Sequence, residues 1–383
     1  MSDLSVSDQL EIYELAKKVK GDILSKTTNF AKMDDPERTT YLVFMEDSTR
    51  TKESFRNAAL FHGGKVNVFD CSTSSFNKHE TITDTIKMLC GYSTGPVTFV
   101  IRSRLEGVCR WLSKAITSFA LKNSLPPVNF INAGDGRHEH PSQELLDEFS
   151  FLEQLSFDRS SIHIALIGDL LNGRTIHSKI DGLKIYDHVI IDLVAPQLIS
   201  LPNHYMLRMK NAGFHVNSFA SLDEYLDTPS KANIFYFTRL QLERMSDSAL
   251  EKEDDLRAAI TFRDDMRARL RSGTKFYHPL PRNGKYPEIP FTVDDSDLNG
   301  WDTQSRNGYF VRIALLSFLN SLSEHKESHR LVEDRRCSNH DCISNPRNGQ
   351  REVISSHVAT EHGLLCYYCD QPLADVSIRD LKH

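Results

Sequence analysis

Tyr41-Leu42-Val43-Phe44-Met45-Glu46-Asp47-Ser48-Thr49-Arg50-Thr51-Lys52-Glu53-Ser54-Phe55 is the stretch on which the reading of the fold turns. Its first five residues form an apolar run short enough for a strand buried on both faces, as in a parallel sheet. Residues 56–62 then read as a helix that ends at Gly63-Gly64. A strand, a tight turn and a helix start make a ready anion site, because free N–H groups and the positive end of the helix dipole face the bound group. Ser48, Thr49 and Thr51 add hydroxyls and Arg50 a guanidinium, which suits a phosphate with several oxygens to satisfy. An ordinary helix start capped by Ser48 would use the same residue types.

Outward from this stretch the pattern repeats. A helix is expected over residues 7–24, with Ser7 as its cap, then strands at 65–69, 96–102 and 128–131. Helices are expected at 81–90, 106–121 and 142–155. A second series has strands at 163–167, 189–194, 215–219, 234–238 and 275–277, a helix over 253–271 and a last helix over 306–322. The alternation predicts an α/β fold of two doubly wound parallel-sheet domains, and the cysteines near the end add a small C-terminal four-cysteine zinc domain. The expected boundaries are 1–155, 156–305, a helix at 306–325 packing back on the first domain, a polar linker at 323–330, and 330–383. Polar clusters fall where strands should end: Arg102, His140 to Gln143, Gly168 to Thr175, Thr238 to Gln241 and His278 to Arg282. Ligands of open parallel sheets bind at those ends, so the clusters point to one site.

Composition excludes several classes. The 383 residues carry a formal charge of −6, which leaves no basic footprint for nucleic acid. No run approaches the ~20 apolar residues of a membrane span. Of seven cysteines, four lie in the last 47 residues, which favours metal ligation in a reducing cytosol over a disulfide framework. Cys337-x4-Cys342 and Cys366-x2-Cys369, 23 residues apart, suit a structural tetrahedral zinc site; His340 or His362 could replace one ligand. After residue 329 there are seven Lys/Arg against eight Asp/Glu, so this tail too lacks a nucleic-acid footprint. Cys71, Cys90 and Cys109 read as buried or incidental.

Four motifs together resemble aspartate carbamoyltransferase over about residues 1–322: Ser48 to Thr51, Gly134 to Gln143, Gly168 to Ser178 and His278 to Arg282. The related ornithine enzymes typically carry a cysteine in the last motif, where this chain has Pro279. The resemblance implies that residues 1–155 bind carbamoyl phosphate and 156–305 bind aspartate, giving N-carbamoyl-L-aspartate for pyrimidine biosynthesis. It implies that Ser48, Thr49, Arg50 and Thr51 hold the phosphate, with Arg102 spanning phosphate and carbonyl. His140 and Thr51 would donate to the carbonyl oxygen, and Gln143 would orient the carbamoyl amine. Arg174 would take one aspartate carboxylate, Arg239 and Gln241 the other, and the backbone of Leu280 and Pro281 would accept from the amines.

By the same resemblance Ser74 and Lys78 reach into a neighbouring chain's site, which implies a homotrimer or a dimer of trimers with shared active sites. Glu46 matches a glutamate that pairs with arginines on closure, here Arg174 and Arg244. The chain departs from the pattern at Lys52, Arg56 and Ser103 and matches it poorly over residues 283–307. The cysteine tail resembles the zinc domain of the aspartate carbamoyltransferase regulatory chain, fused without its nucleotide-binding part. Two other readings stay open: a catalytically silent paralogue serving as a scaffold or regulatory partner, and a carbamoyltransferase for another amino acid.

Overall fold

The computed structural model describes residues 1, 3–71, 79–245, 247–321, 331–332, 336–360 and 363–373. In chain order the first elements are α1 (Val6–Ser25), β1 (Thr39–Phe44), α2 (Arg50–Phe61), β2 (Lys65–Phe69), α3 (Ile82–Gly91), β3 (Val97–Ser103), α4 (Val108–Lys122) and β4 (Val128–Asp135). Next come α5 (Pro141–Gln154), β5 (Ser161–Gly168), α6 (Arg174–Gly182), β6 (His188–Val194), α7 (Asn203–Asn211), β7 (His215–Phe219), α8 (Leu222–Leu226) and β8 (Ile234–Thr238). The remainder is α9 (Asp247–Leu250), α10 (Glu253–Ile260), β9 (Lys275–Tyr277), α11 (Trp301–Ser321), β10 (Leu331–Val332), β11 (His357–Thr360) and β12 (Gly363–Cys366). The chain divides into two compact units, Met1–Tyr13 with Gln143–Gly308, and Glu14–Ser142 with Tyr309–His383.

In the unit of Glu14–Ser142 and Tyr309–His383, four parallel strands run in the order β2-β1-β3-β4. β1 is buried nearly throughout, as its apolar run requires, whereas β2 at the edge has no buried residue and exposes Lys65, Asn67 and Val68. The order reverses between β1 and β3, so the residues after their C-terminal ends flank a topological switch point. The cysteine segment, with the antiparallel sheet β10-β11-β12, belongs to this unit. Cys337, Cys342, Ile343, Cys366, Tyr368 and Cys369 share one apolar core with Val43, Phe99, Val108 and Leu112.

In the other unit five parallel strands run β7-β6-β5-β8-β9, with the reversal between β5 and β8. Ile164, Leu166, Leu193, Phe235 and Phe237 are buried along the central strands. Both parallel sheets therefore follow the doubly wound plan expected from the alternation.

Several boundaries differ for physical reasons. α2 starts at Arg50, six residues before the expected start, and its N-cap Thr49 makes no side-chain capping bond. Ser48 therefore does not cap it in the ordinary way, and the first-turn N–H groups stay available. Ser5 rather than Ser7 opens α1: its Oγ accepts from Asp8 N at 3.1 Å while Asp8 Oδ2 accepts from Ser5 N at 2.8 Å, a reciprocal capping pair. The helix expected over 253–271 breaks after Ile260 and resumes as a 3₁₀ turn at Asp264–Arg269. Between them Phe262 is buried edge-on against Phe276 and its N–H donates to Glu288 O, a tertiary contact that periodicity does not contain. α11 begins at Trp301, five residues early, with Asn299 Oδ1 accepting from Asp302 N at 3.2 Å. β4 extends to Asp135 through a register shift opposite Ser103, so part of the expected loop is strand. The expected linker at 323–330, and Ser74 and Lys78, lie outside the described residues.

Candidate functional site

In the first parallel sheet the turn after β1 leads straight into α2, placing Ser48 and Thr49 just before the helix and Arg50 and Thr51 in its first turn. Thr51 is buried, whereas Arg50 stays exposed. Partial desolvation lowers the Arg50 pKa, and among the described residues no carboxylate opposes that shift. On the neighbouring strand, Arg102 pairs in register with Phe44. Its Nη1 lies 3.4 Å from Ala133 O and 3.4 Å from His140 Nε2, and its Nε lies 3.7 Å from Glu46 Oε2. The Ser142 hydroxyl is 3.4 Å from His140 Nδ1. Ser48 to Thr51, Arg102 and His140 thus belong to one switch point.

In the second sheet the switch point lies between β5 and β8, where Gly168 pairs with Thr238. Gly168 has φ +118°, and a Cβ there would come within 2.1 Å of Thr238 O, so glycine is required. Asp169 follows it, fully buried, with burial raising its pKa. Its Oδ1 accepts from Asn172 N at 3.0 Å and its Oδ2 from Gln241 N at 3.2 Å, joining the turn before Arg174 to the turn after Arg239. Glu243 Oε2 accepts from Arg239 Nη1 at 3.1 Å, with a second contact between Nη2 and Oε1. The Arg239 fork is thus occupied by the carboxylate of Glu243.

Gln143, Leu280 and Pro281 lie in this same unit, and buried Asp147 supports them. Asp147 Oδ1 accepts from Gln143 Nε2 at 2.8 Å and from Gln304 Nε2 at 2.6 Å. Gln304 Oε1 in turn accepts from His278 N, and His278 Nδ1 from Leu280 N, which holds the Leu280–Pro281 segment with its cis peptide. Asp147 Oδ2 accepts from Lys179 Nζ at 2.9 Å and Tyr236 Oη at 2.6 Å. Lys179 lies on the helix that begins at Arg174, and Tyr236 on the strand that leads to Arg239.

Two family descriptions match the chain: "Aspartate/ornithine carbamoyltransferase, carbamoyl-P binding domain" over residues 1–153, and "Aspartate/ornithine carbamoyltransferase, Asp/Orn binding domain" over residues 160–319. The chain belongs to the aspartate/ornithine carbamoyltransferase family. It is 54% identical over 336 residues to Protein PyrBI of Thermotoga maritima, covering 85% of this chain and 62% of that protein. It is 47% identical over 323 residues to Protein PyrBI of Treponema denticola, covering 83% and 60%. The chain thus spans about three fifths of the length of these two relatives. Aspartate transcarbamoylase from Trypanosoma cruzi, solved with carbamoyl phosphate and aspartate, has a TM-score of 0.69 at 31% identity, covering 82% of this chain and 94% of that one.

This carbamoyltransferase-family chain also has a four-thiol cluster. Cys337, Cys342, Cys366 and Cys369 are buried and free of disulfides, and their Sγ atoms all lie within 4.8 Å of one another. The Cys337–Cys369 and Cys342–Cys366 separations are 3.6 and 3.7 Å. Four thiolates at about 2.3 Å from one tetrahedral ion would stand about 3.8 Å apart, so the donor set fits a metal. His340 lies near Arg347 and outside this cluster, and His362 lies outside the described residues.

Sequence reasoning passed over the ionic supports of this family site. Lys179 has Glu144 and Asp147 within bonding distance, and Glu148 is 3.9 Å away, all fully buried. Burial opposes the Lys179 charge, but the Asp147, Glu144 and Glu148 carboxylates hold its pKa above the usual value. Burial lifts the Glu144 carboxyl to about 7 despite Lys179 beside it, and raises Glu148 further. The spacing Glu144-x2-Asp147-Glu148 on a helix was the available signal, since three acids on one face need a cation. His138, buried between Asp135 and Asp370, gave no sequence signal for its partner, 232 residues away.

Proposed function

We propose that the chain is an aspartate carbamoyltransferase, converting carbamoyl phosphate and L-aspartate to N-carbamoyl-L-aspartate and phosphate for pyrimidine biosynthesis. The observation that carries the reading is the pairing of motifs at the switch points: the Ser48–Arg50 turn, Arg102 and His140 on one sheet, and Arg174 and Arg239 on the other. The first set offers hydroxyls, uncapped N–H groups and a guanidinium to a phosphate. The second offers planar forks to carboxylates.

In this mechanism Ser48, Thr49, Arg50 and Thr51 bind the phosphate, and Arg102 spans phosphate and carbonyl. The aspartate amine attacks the carbonyl carbon, His140 and Thr51 donate to the developing oxyanion, and the C–O bond to phosphate breaks. Gln143 orients the carbamoyl amine, and Asp147 aligns Gln143 by accepting from its amide. Arg174, Arg239 and Gln241 hold the two aspartate carboxylates, and the backbone at Leu280 and Pro281 accepts from the amines. No covalent intermediate on the protein is needed, so positioning and charge stabilisation supply the catalysis.

The four cysteines are assigned to a structural zinc, which would cross-link the C-terminal segment. The assembly is assigned as a cytosolic homotrimer or dimer of trimers, in which Ser74 and Lys78 serve a neighbouring site. The test is a ureido assay of the purified chain with carbamoyl phosphate and aspartate, ornithine or other amines. Product with aspartate is expected. Product with another amine alone would support the second carbamoyltransferase reading, and no product with any amine would support the silent scaffold.

A further inference from the structure

The loop that carries His140 is tied to the four-cysteine segment at two places: Arg137 Nη2 lies 3.3 Å from Asp341 Oδ2 at the exposed surface, and His138 makes the buried link. Asp135, at the end of β4, accepts from Glu139 N at 3.0 Å through Oδ1 and from Gly107 N at 2.7 Å through Oδ2. His138 lies in that loop with Nδ1 3.1 Å from Asp135 Oδ2 and Nε2 3.0 Å from Asp370 Oδ2. Both ring nitrogens face carboxylates, an arrangement that favours the doubly protonated ring; burial opposes the charge, but Asp135 and Glu139 hold the pKa above the ordinary value. Arg110 braces the same carboxylate, with Nη1 2.8 Å from Asp370 Oδ1, and reaches Glu139 Oε1 at 3.6 Å. His140 stands two residues beyond His138, buried, within reach of Arg102 Nη1.

Asp370 stands at a left-handed turn. It follows Cys369, its N–H donates to Cys366 O at 3.0 Å, and it adopts φ +56°. Glycine is the unstrained residue at such a left-handed turn. Aspartate also tolerates this conformation, and beyond glycine it adds a carboxylate that engages both Arg110 and His138.

We propose that Asp370 is a positioning residue for His140: acting through His138, it fixes the loop of residues 134–140, so that the cysteine segment supports the catalytic half-site on its own chain. The proposal rests on the carbamoyl-transfer reading for the role of His140.

Asp370→Gly is the decisive variant, because it relieves the left-handed turn while deleting only the carboxylate. Made in the full chain with its metal, it should keep wild-type metal content and thermal midpoint. The His138 imidazole should lose its doubly protonated NMR signature near neutral pH and the His140 signals should shift, both assigned with His138→Gln and His140→Gln. Turnover should fall about tenfold or more with KM for aspartate changed less than about twofold, as expected of a misplaced donor. His138→Gln combined with Asp370→Gly should be no slower than the worse single variant. If Asp370→Gly loses metal, Asp370→Asn carries the same comparison with the side-chain shape kept. Unshifted His140 signals in a folded, metal-loaded variant, or multiplicative losses in the double variant, would overturn the proposal. The imidazole comparison needs no turnover, so it decides the question even if the wild-type chain transfers no carbamoyl group.

Discussion

Lys179 Nζ donates to Glu144 Oε2 over 2.6 Å, and both side chains are completely buried. The cation also serves Asp147, so its removal leaves several carboxylates in a site that water does not reach. Lys179→Met should therefore destabilise the chain by about 3–5 kcal/mol, the usual cost of stripping a buried charge of its partner. Urea unfolding monitored by circular dichroism measures it. A loss under about 1 kcal/mol would mean that the acids rearrange or take up protons at little cost.

The same cluster sets a pH dependence. Burial raises the folded Glu144 carboxyl from an ordinary 4.5 to about 7. Between those values the folded chain holds a proton that the unfolded chain has released. Its stability contribution is therefore complete below pH 4.5 and is lost as pH rises through about 7. The slope is about 1.4 kcal/mol per pH unit for one proton. Glu144→Gln should flatten the fall in thermal midpoint across that window; parallel curves for the two proteins would exclude Glu144 as its source.

Gly107 caps α4 at φ +80°, and a Cβ on it would come within 2.4 Å of Tyr368 Cβ and 2.6 Å of Tyr368 O. Gly107→Ala must move the turn that carries Cys366 and Cys369 as well as strain its own backbone. A stability loss of about 2 kcal/mol or more is expected, with faster metal release to a chromogenic chelator. Unchanged release would show that the turn yields without moving its thiols.

Arg50→Ala removes the guanidinium from the first turn of α2. Turnover at saturating substrates should fall by about 10²-fold or more, since a preorganised charge on the leaving group is lost. Near-normal turnover would remove this turn from the active site.

Lys78 allows a test of site sharing. If the chain forms the proposed trimer with shared sites, and Arg50→Ala and Lys78→Ala chains are each inactive, mixing them equally and letting assemblies re-form should restore roughly a quarter of sites, because each native half is drawn about half the time. Recovery near zero, with exchange confirmed by native mass spectrometry, would place both residues in one chain's site.

The strands were legible where apolar runs end at turn residues: residues 65–69, 215–219, 234–238 and 275–277 are strands with those bounds. The positions of the candidate motifs were legible too, because each is a contiguous stretch that follows a strand. Tertiary contacts were not. Nothing local to residues 261–262 shows that Phe262 will leave a helix for Phe276. Lys179 and Glu144 stand 35 positions apart, and Arg110 and Asp370 stand 260 apart. Sequence periodicity reports which residues share a face, and such pairs are made by what packs against it.

The shared apolar core has a consequence for biosynthesis. Phe99, Ile101, Val108 and Leu112 emerge from the ribosome early, whereas Cys337, Ile343, Cys366 and Tyr368, which complete their core, are made after the whole second sheet. Throughout that interval the nascent chain carries an unfinished hydrophobic surface, a target for chaperones and for self-association. Ribosome stalling or a premature stop before Cys337 would release a polypeptide with that apolar surface uncovered.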